Sequence, residues 1–182
     1  MDDHAALRRI RLGLLLFMLG LVVSGVTAIP LRYELSLLEG WLGPGTWVGE
    51  QWPALAEWIG RVHEALVAMD GRYPFLAYGY DWLAFGHFVI AVAFVGPLRD
   101  PERNGWVVDF GLIACALVIP YALVFGHVRG IPLFWRFIDT LFGFGGLAVL
   151  GYVRRQMAAL GQSSGGDGCR PGAGNRKALP ET

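Results

Sequence analysis

The chain has 182 residues, of which 54% are hydrophobic and 16% charged, and its fifteen basic and fifteen acidic side chains cancel to a net charge of zero. The apolar share exceeds the ~45–50% usual for soluble domains and the charged share falls below the usual ~25%, which places the excess apolar surface in lipid. No basic surplus argues for nucleic acid. Cys115 in an apolar run and Cys169 in a polar stretch do not suit a mutual disulfide, and no cysteine pair is available for disulfide exchange.

Four runs are long enough to span ~30 Å of hydrocarbon, which takes about 20 helical residues. They cover residues 12–29, 75–95, 106–126 and 133–153. The first follows Arg8, Arg9 and Arg11. With its small-residue end Val26-Thr27-Ala28, it also fits a cleavable secretory signal. It is long enough to span uncut, and Gly13, Gly20 and Gly25 suit close helix packing, so residues 12–29 are read as a transmembrane helix.

Residues 30–74 are rich in Trp, Pro and Gly and carry Glu34, Glu39, Glu50, Glu57, Glu64 and Asp70, too much charge to span. Within them, Leu55, Ile59, Val62, Leu66 and Met69 recur at helical spacing behind Pro53, which fits a first-turn position. Glu57 and Arg61 form a favourable i,i+4 pair on another face. This predicts an external amphipathic helix between spans one and two. It would lie at the membrane interface beside Trp41, Trp47, Trp52 and Trp58, or pack as a small subdomain on the spans.

Span two carries Asp81 and His87. On a wheel of about 100° per residue, Ala77, Ala84 and Ala91 make a small-residue stripe, with Asp81 and His87 about 60° to either side. Arg99 and Arg103 follow. Span three has Asp109 at one end, His127 at the other and Pro120 between them. Span four carries Arg136 and Asp139 one helical turn apart, with Gly143 and Gly146 continuing that face, and ends at Arg154 and Arg155. Basic residues accumulate on the cytoplasmic side, so both termini are read as cytoplasmic. Beyond Leu160 the composition turns to Gly, Ser, Asp, Pro and Asn. Residues 1–160 are therefore expected to form a membrane domain and 161–182 a disordered cytoplasmic tail.

The expected fold is all-α, an integral membrane four-helix bundle. Polar residues inside spans usually face the bundle or a wet cavity, which makes Asp81, His87, His127, Arg136 and Asp139 the candidate binding residues. Matched depth suggests Arg136 between Asp81 and Asp139, although Arg136 snorkelling outward and His87 as a packing histidine account for the same residues. Asp109, near Arg103, reads as an interfacial anchor. Haem between His87 and His127 is disfavoured because they lie at different levels. His63-Glu64 has Val67 where a zinc-protease motif needs its second histidine. No phosphate-binding loop, nucleophile elbow or acidic metal cluster is present in the sequence, so no catalytic residue, metal or cofactor is assigned.

The stretches Tyr80-Asp81-Trp82-Leu83-Ala84-Phe85-Gly86-His87, Gly96-Pro97-Leu98-Arg99-Asp100-Pro101 and Arg129-Gly130-Ile131-Pro132 resemble a pattern in small uncharacterised bacterial membrane proteins. The resemblance spans roughly residues 75–145 and implies a bacterial inner-membrane protein, with no activity attached. The residues themselves leave two function classes, ahead of a third, an intramembrane enzyme. One is a non-enzymatic accessory or assembly subunit, working as a homo-oligomer or within a larger membrane complex. The other is a small transporter or ligand-binding protein with an outward-facing pocket around Asp81, His87, Arg136 and Asp139.

Overall fold

A computed structural model describes residues 3–166, with side chains described for residues 4–161. Among the described residues every regular element is helical: α1 (Asp3–Ala28), α2 (Leu31–Leu42), α3 (Trp47–Gln51), α4 (Pro53–Arg72), a 3-10 turn (Pro74–Ala77), α5 (Tyr78–Ala93), α6 (Val95–Arg99), α7 (Gly105–Val128) and α8 (Leu133–Gly166). Four stretches, His4–Ala28, Pro74–Arg99, Gly105–Val128 and Leu133–Gly161, are long and apolar enough to cross a membrane.

Burial follows a lipid logic. Along α1 the inward stripe is Ala6, Ile10, Leu14, Phe17 and Leu21, while the outward face carries Leu12, Leu16, Leu19, Val23 and Val26. Both faces are apolar, which suits a helix whose surroundings are hydrocarbon and not water. α1 packs against both α5 and α8, and α8 makes its most extensive contact with α7. The shared core joins the α1 stripe to Ala91, Phe94, Val107, Val108, Cys115, Leu150, Val153, Met157 and Leu160. These residues cluster toward the arginine-rich ends of the spans.

The predicted second span is not one helix. Pro97 has no N–H to donate to Ala93, so the ladder loses a bond here; α7 absorbs the same loss at Pro120, whereas α5 ends. α5 stops at Ala93, and Phe94 closes the end by bonding back to Ile90 and Ala91 at 3.4 and 3.2 Å. The break lets the Phe94 ring turn inward, 4.8 Å from the Phe17 ring and fully buried. After α6, the Asp100 side chain accepts from Arg103 N at 3.1 Å, and Asn104 donates to the Gly96 and Asp100 carbonyls. These bonds turn the chain into α7.

Residues 30–74, expected to hold one helix, hold three. α4 starts with Pro53 in its first turn as expected and runs to Arg72. Ala56 and Ile59 are buried and Leu55, Val62, Leu66 and Met69 half-buried, while Glu57, Arg61 and Glu64 are exposed. The Arg61–Glu57 pair forms at 2.9 Å. α2 lies antiparallel beside α4, tied by Arg32 to Asp70 and by Glu39 to His63. α8 continues to Gly166, six residues into the stretch expected to be disordered. Residues 167–182, the rest of that expected tail, lie outside the described residues, and so does Cys169.

Helix contact rests on missing side chains. A Cβ on Gly143 would sit 2.8 Å from the Cys115 backbone oxygen, and one on Gly146 would sit 2.4 Å from the Cys115 sulfur. A Cβ on Gly25 would meet the Ala84 carbonyl at 3.0 Å, where α1 crosses the Ala84 and Ala91 stripe of α5. Overpacking of this kind costs about 1–3 kcal/mol. Gly143→Ala is therefore expected to destabilise the protein by that amount even alongside Cys115→Ala, because the obstacle is backbone. Cys115→Ala should instead recover at least half of the loss caused by Gly146→Ala, since the obstacle there is the sulfur. Unfolding in mixed micelles measures both cycles, and rescue of Gly143→Ala would refute the backbone contact.

Candidate functional site

The α7–α8 corner is built by a specific chain reversal. Gly130 takes φ of +71°, the left-handed conformation that glycine adopts without penalty. It lets Gly130 N bond His127 O at 3.1 Å and Ile131 N bond Gly126 O at 2.9 Å, a Schellman ending for α7. Pro132 then starts the next helix by accepting from Trp135 and Arg136 N, both at 3.1 Å. The Arg-Gly-Ile-Pro motif is thus a helix stop followed by a helix start, and it sets α8 antiparallel to α7.

This corner decides where Arg136 goes. Its stem lies across Gly126, where a Cβ would stand 2.5 Å from both Cγ and Cδ of Arg136. Its Nη1 donates to the Leu123 carbonyl at 3.3 Å, and Nε is buried with no hydrogen-bond partner among the described residues. The arginine therefore serves the α7–α8 contact. The expected cluster of Asp81, Arg136 and Asp139 does not form: no ion pair among the described residues joins Arg136 to either carboxylate. The reason is topological: α5 packs mainly on α1, and α8 mainly on α7 and α1, so Asp81 and Arg136 stand on helices that share no extensive contact.

Asp139 lies in an open groove of about 460 Å³ on the α7–α8 face, together with Tyr121, Ala122, Phe125 and Arg129. It is exposed, and its carboxylate makes no hydrogen bond or ion pair among the described residues. Counting from Leu133 at 1.5 Å per residue, it stands roughly 9 Å along the helix from the α7–α8 corner. Asp81 is also exposed, in the first turn of α5, in a shallow hollow with Tyr78, Trp82 and Phe85. There the positive end of the helix dipole offsets part of its charge.

The histidines are apart. His87 Nδ1 lies 2.8 Å from the Leu83 carbonyl of its own helix, and its ring meets the edge of Phe142 on α8 at 6.5 Å. This is local packing, with the hydrogen bond inside α5. His127 is exposed in the last turn of α7. Asp109 pairs with Arg154 of α8 through two bonds of 2.6 and 3.2 Å, where Arg103 was the expected neighbour. Both lie at the same end of antiparallel helices, a match that span boundaries alone permit.

Sequence reasoning missed a second polar concavity. Where α1 meets α2, a cleft of about 620 Å³ is walled by Arg32, Tyr33, Ser36, His63, Asp70 and Tyr80. Its charged groups come from the α2–α4 pairing. The signal was present: Arg32 and Glu39 on one helix and Asp70 and His63 on the other are offset by seven residues in opposite directions, the pattern of two antiparallel helices in register. Without α2 recognised as a helix, that pattern had no meaning. Among the described residues no group of His, Cys, Asp and Glu is arranged to hold a metal ion.

No protein-family model matches this chain, and no curated protein or solved structure matches it either. The described residues define an all-helical protein with four helices fit to cross a membrane, carrying two unpartnered carboxylates, Asp81 in a shallow hollow and Asp139 in a larger groove, and one polar cleft.

If Arg136 belongs to the α7–α8 contact, its energetic partner is Gly126 and not Asp81. Gly126→Ala should be strongly destabilising in the wild-type background and mild in Arg136→Ala, where the nearest remaining atom is Cβ at 3.7 Å. The effects of Arg136→Ala and Asp81→Asn should add within about 0.5 kcal/mol, as expected of separated sites. Coupling between Arg136 and Asp81 in the same unfolding assay would contradict this placement.

Proposed function

We propose that the protein is a non-enzymatic accessory or assembly subunit of a bacterial inner membrane, a four-helix bundle with both termini in the cytoplasm and residues 30–74 outside. The observation that carries this reading is Asp139, an exposed carboxylate inside a candidate span with no partner of its own. Ionised groups at membrane depth are costly, by about 2.5–3.5 kcal/mol at mid-bilayer and less toward the interface, and are normally covered or paired. A second membrane-embedded polypeptide presenting a cation or hydrogen-bond donor would cover Asp139 and fill the groove beside Ala122 and Tyr121. That second chain is another copy or a different subunit.

The orientation rests on charge. Arg8, Arg9 and Arg11, Arg99 and Arg103, and Arg154 and Arg155 fall at one set of span ends, and the acidic helices α2 to α4 at the other. The exposed Trp41, Trp47 and Trp52 fit helices lying at the outer interface. Contact of the Trp58 and Trp135 rings at 6.5 Å supports α4 lying over the outer end of α8.

A second reading is favoured by the polar cleft alone, which is large enough for a small ligand and offers both charge signs and two phenols. In that reading the protein binds a small polar molecule at the outer surface, away from the pocket of Asp81, His87, Arg136 and Asp139 expected from the sequence.

Two experiments test the proposal. A reporter active only in the cytoplasm should work when fused after Arg155 or at Arg99 and fail near Glu50. Activity at Glu50 would reverse the orientation. Purification in mild detergent should retain a bound polypeptide. Asp139→Leu and Ala122→Trp should each reduce it about tenfold, the effect of ~1.4 kcal/mol, while Asp81→Asn leaves it in place. A partner-free protein from native membranes, or a partner indifferent to Asp139, would overturn the subunit reading.

A further inference from the structure

On the other side of the molecule, toward the arginine-rich ends of the spans, α1 and α8 leave a groove of about 480 Å³ between them. Leu12 and Leu16 form one wall and Ala148, Val149 and Tyr152 the other, with Arg9 at its mouth. The groove exists because small residues fail to fill it. Gly13 forms its floor, where a Cβ would press within 2.5 Å of the Val153 methyl, so the helices are already in closest approach and nothing from α1 can enter. Ala148 reaches only one carbon into the space.

Along α1 the change from charged to apolar runs with depth. From Arg9 to Leu16 the helix advances seven residues, about 10.5 Å, most of the ~15 Å of one leaflet's hydrocarbon. Arg9 is exposed at the shallow end, with Tyr152 beside it across the groove, and only apolar groups lie deeper. Arg8 and Arg11 are exposed within a turn of Arg9, and Arg155 within a turn of Tyr152. Among the described residues none of these four arginines has an ion pair, whereas Arg154, one residue from Arg155, is held by Asp109. The mouth therefore carries net positive charge without a counter-ion among the described residues.

We propose that this groove is a binding site for an anionic phospholipid. One acyl chain lies along Leu12, Leu16 and Val149, the Arg9 guanidinium meets the phosphate, and the Tyr152 hydroxyl donates to a phosphate or ester oxygen. The arrangement selects charge through Arg9 and excludes a free headgroup phosphate by its apolar length. A guanidinium suits a phosphate because it donates in a planar fork, a geometry that lysine does not reproduce. A neutral or zwitterionic lipid would fill the same groove but leave the mouth charge uncompensated. The site is independent of the Asp139 groove, which lies on the α7–α8 face.

The full chain, delipidated and reconstituted in neutral detergent micelles, is titrated with phosphatidylglycerol, with phosphatidylcholine of the same acyl chains, and with glycerol 3-phosphate alone. Native mass spectrometry reads the bound lipid. One phosphatidylglycerol is expected to bind in preference to phosphatidylcholine, and glycerol 3-phosphate should neither bind nor compete. Arg9→Gln should weaken phosphatidylglycerol binding about fivefold and phosphatidylcholine, whose choline already offsets its phosphate, by less, so that the headgroup preference shrinks. Ala148→Phe, filling the groove, should remove both lipids. Leu12→Trp at the exposed wall serves in its place if that variant does not fold. Equal losses from Arg8→Gln and Arg9→Gln would mean diffuse surface charge and would overturn the site. So would competition by glycerol 3-phosphate, absence of a headgroup preference, or a co-purifying polypeptide that blocks lipid from the groove.

Discussion

Hydrocarbon gives helices no hydrophobic reason to associate, because lipid tails are as apolar as leucine. What remains is packing, and packing requires backbones to come close. Here that requirement is met at glycine and alanine: Gly143 and Gly146 against Cys115, Gly25 against Ala84, Gly13 against Val153, and Gly111 against Leu150 and Phe94. At Gly143 the atom nearest to an added Cβ would be a backbone oxygen, so no rotamer change relieves the contact.

The same constraint explains why the two ends of the spans differ. Toward the arginine-rich end, Phe94 is released by the break before Pro97 and fills the space between Phe17 and Gly111, so four elements share one core. Toward the other end α5 leans on α1, and α8 leans on α7 through Arg136 lying across Gly126. The polar concavities sit there, where core residues are fewer: the cleft between α2, α4 and Tyr80, and the groove that holds Asp139.

Much of the fold was legible because lipid imposes long apolar runs. The four spans, the Pro53 helix start, the Glu57–Arg61 pair and the small-residue stripe of α5 were all readable from spacing. α2 was not: Leu31–Leu42 carries Arg32, Glu34 and Glu39 among its leucines, and it makes sense as a helix only against α4. The break at Phe94 was hidden because Pro97 lies two residues beyond the apolar run of 75–95, and the residues around Phe94 are apolar. The candidate site was the least legible part. A helical wheel gives the angle at which Asp81 or Arg136 leaves its helix, and residue counting gives a depth, but neither says which helix stands beside it. Since α5 and α8 share no extensive contact, matched depth brought Asp81 and Arg136 no closer. The α7–α8 partnership was available from the tight Arg129–Pro132 turn, which makes those two helices antiparallel neighbours and points Arg136 at Gly126.

The central claim is that the α7–α8 face bearing Asp139 meets another polypeptide and not lipid. A photo-crosslinking amino acid placed at Ala122, inside the groove, and separately at Val124, exposed about 200° around α7, reads the two environments in native membranes. Illumination should give a protein adduct of defined mass from position 122 and only lipid adducts from position 124. Lipid adducts from both positions would contradict the account.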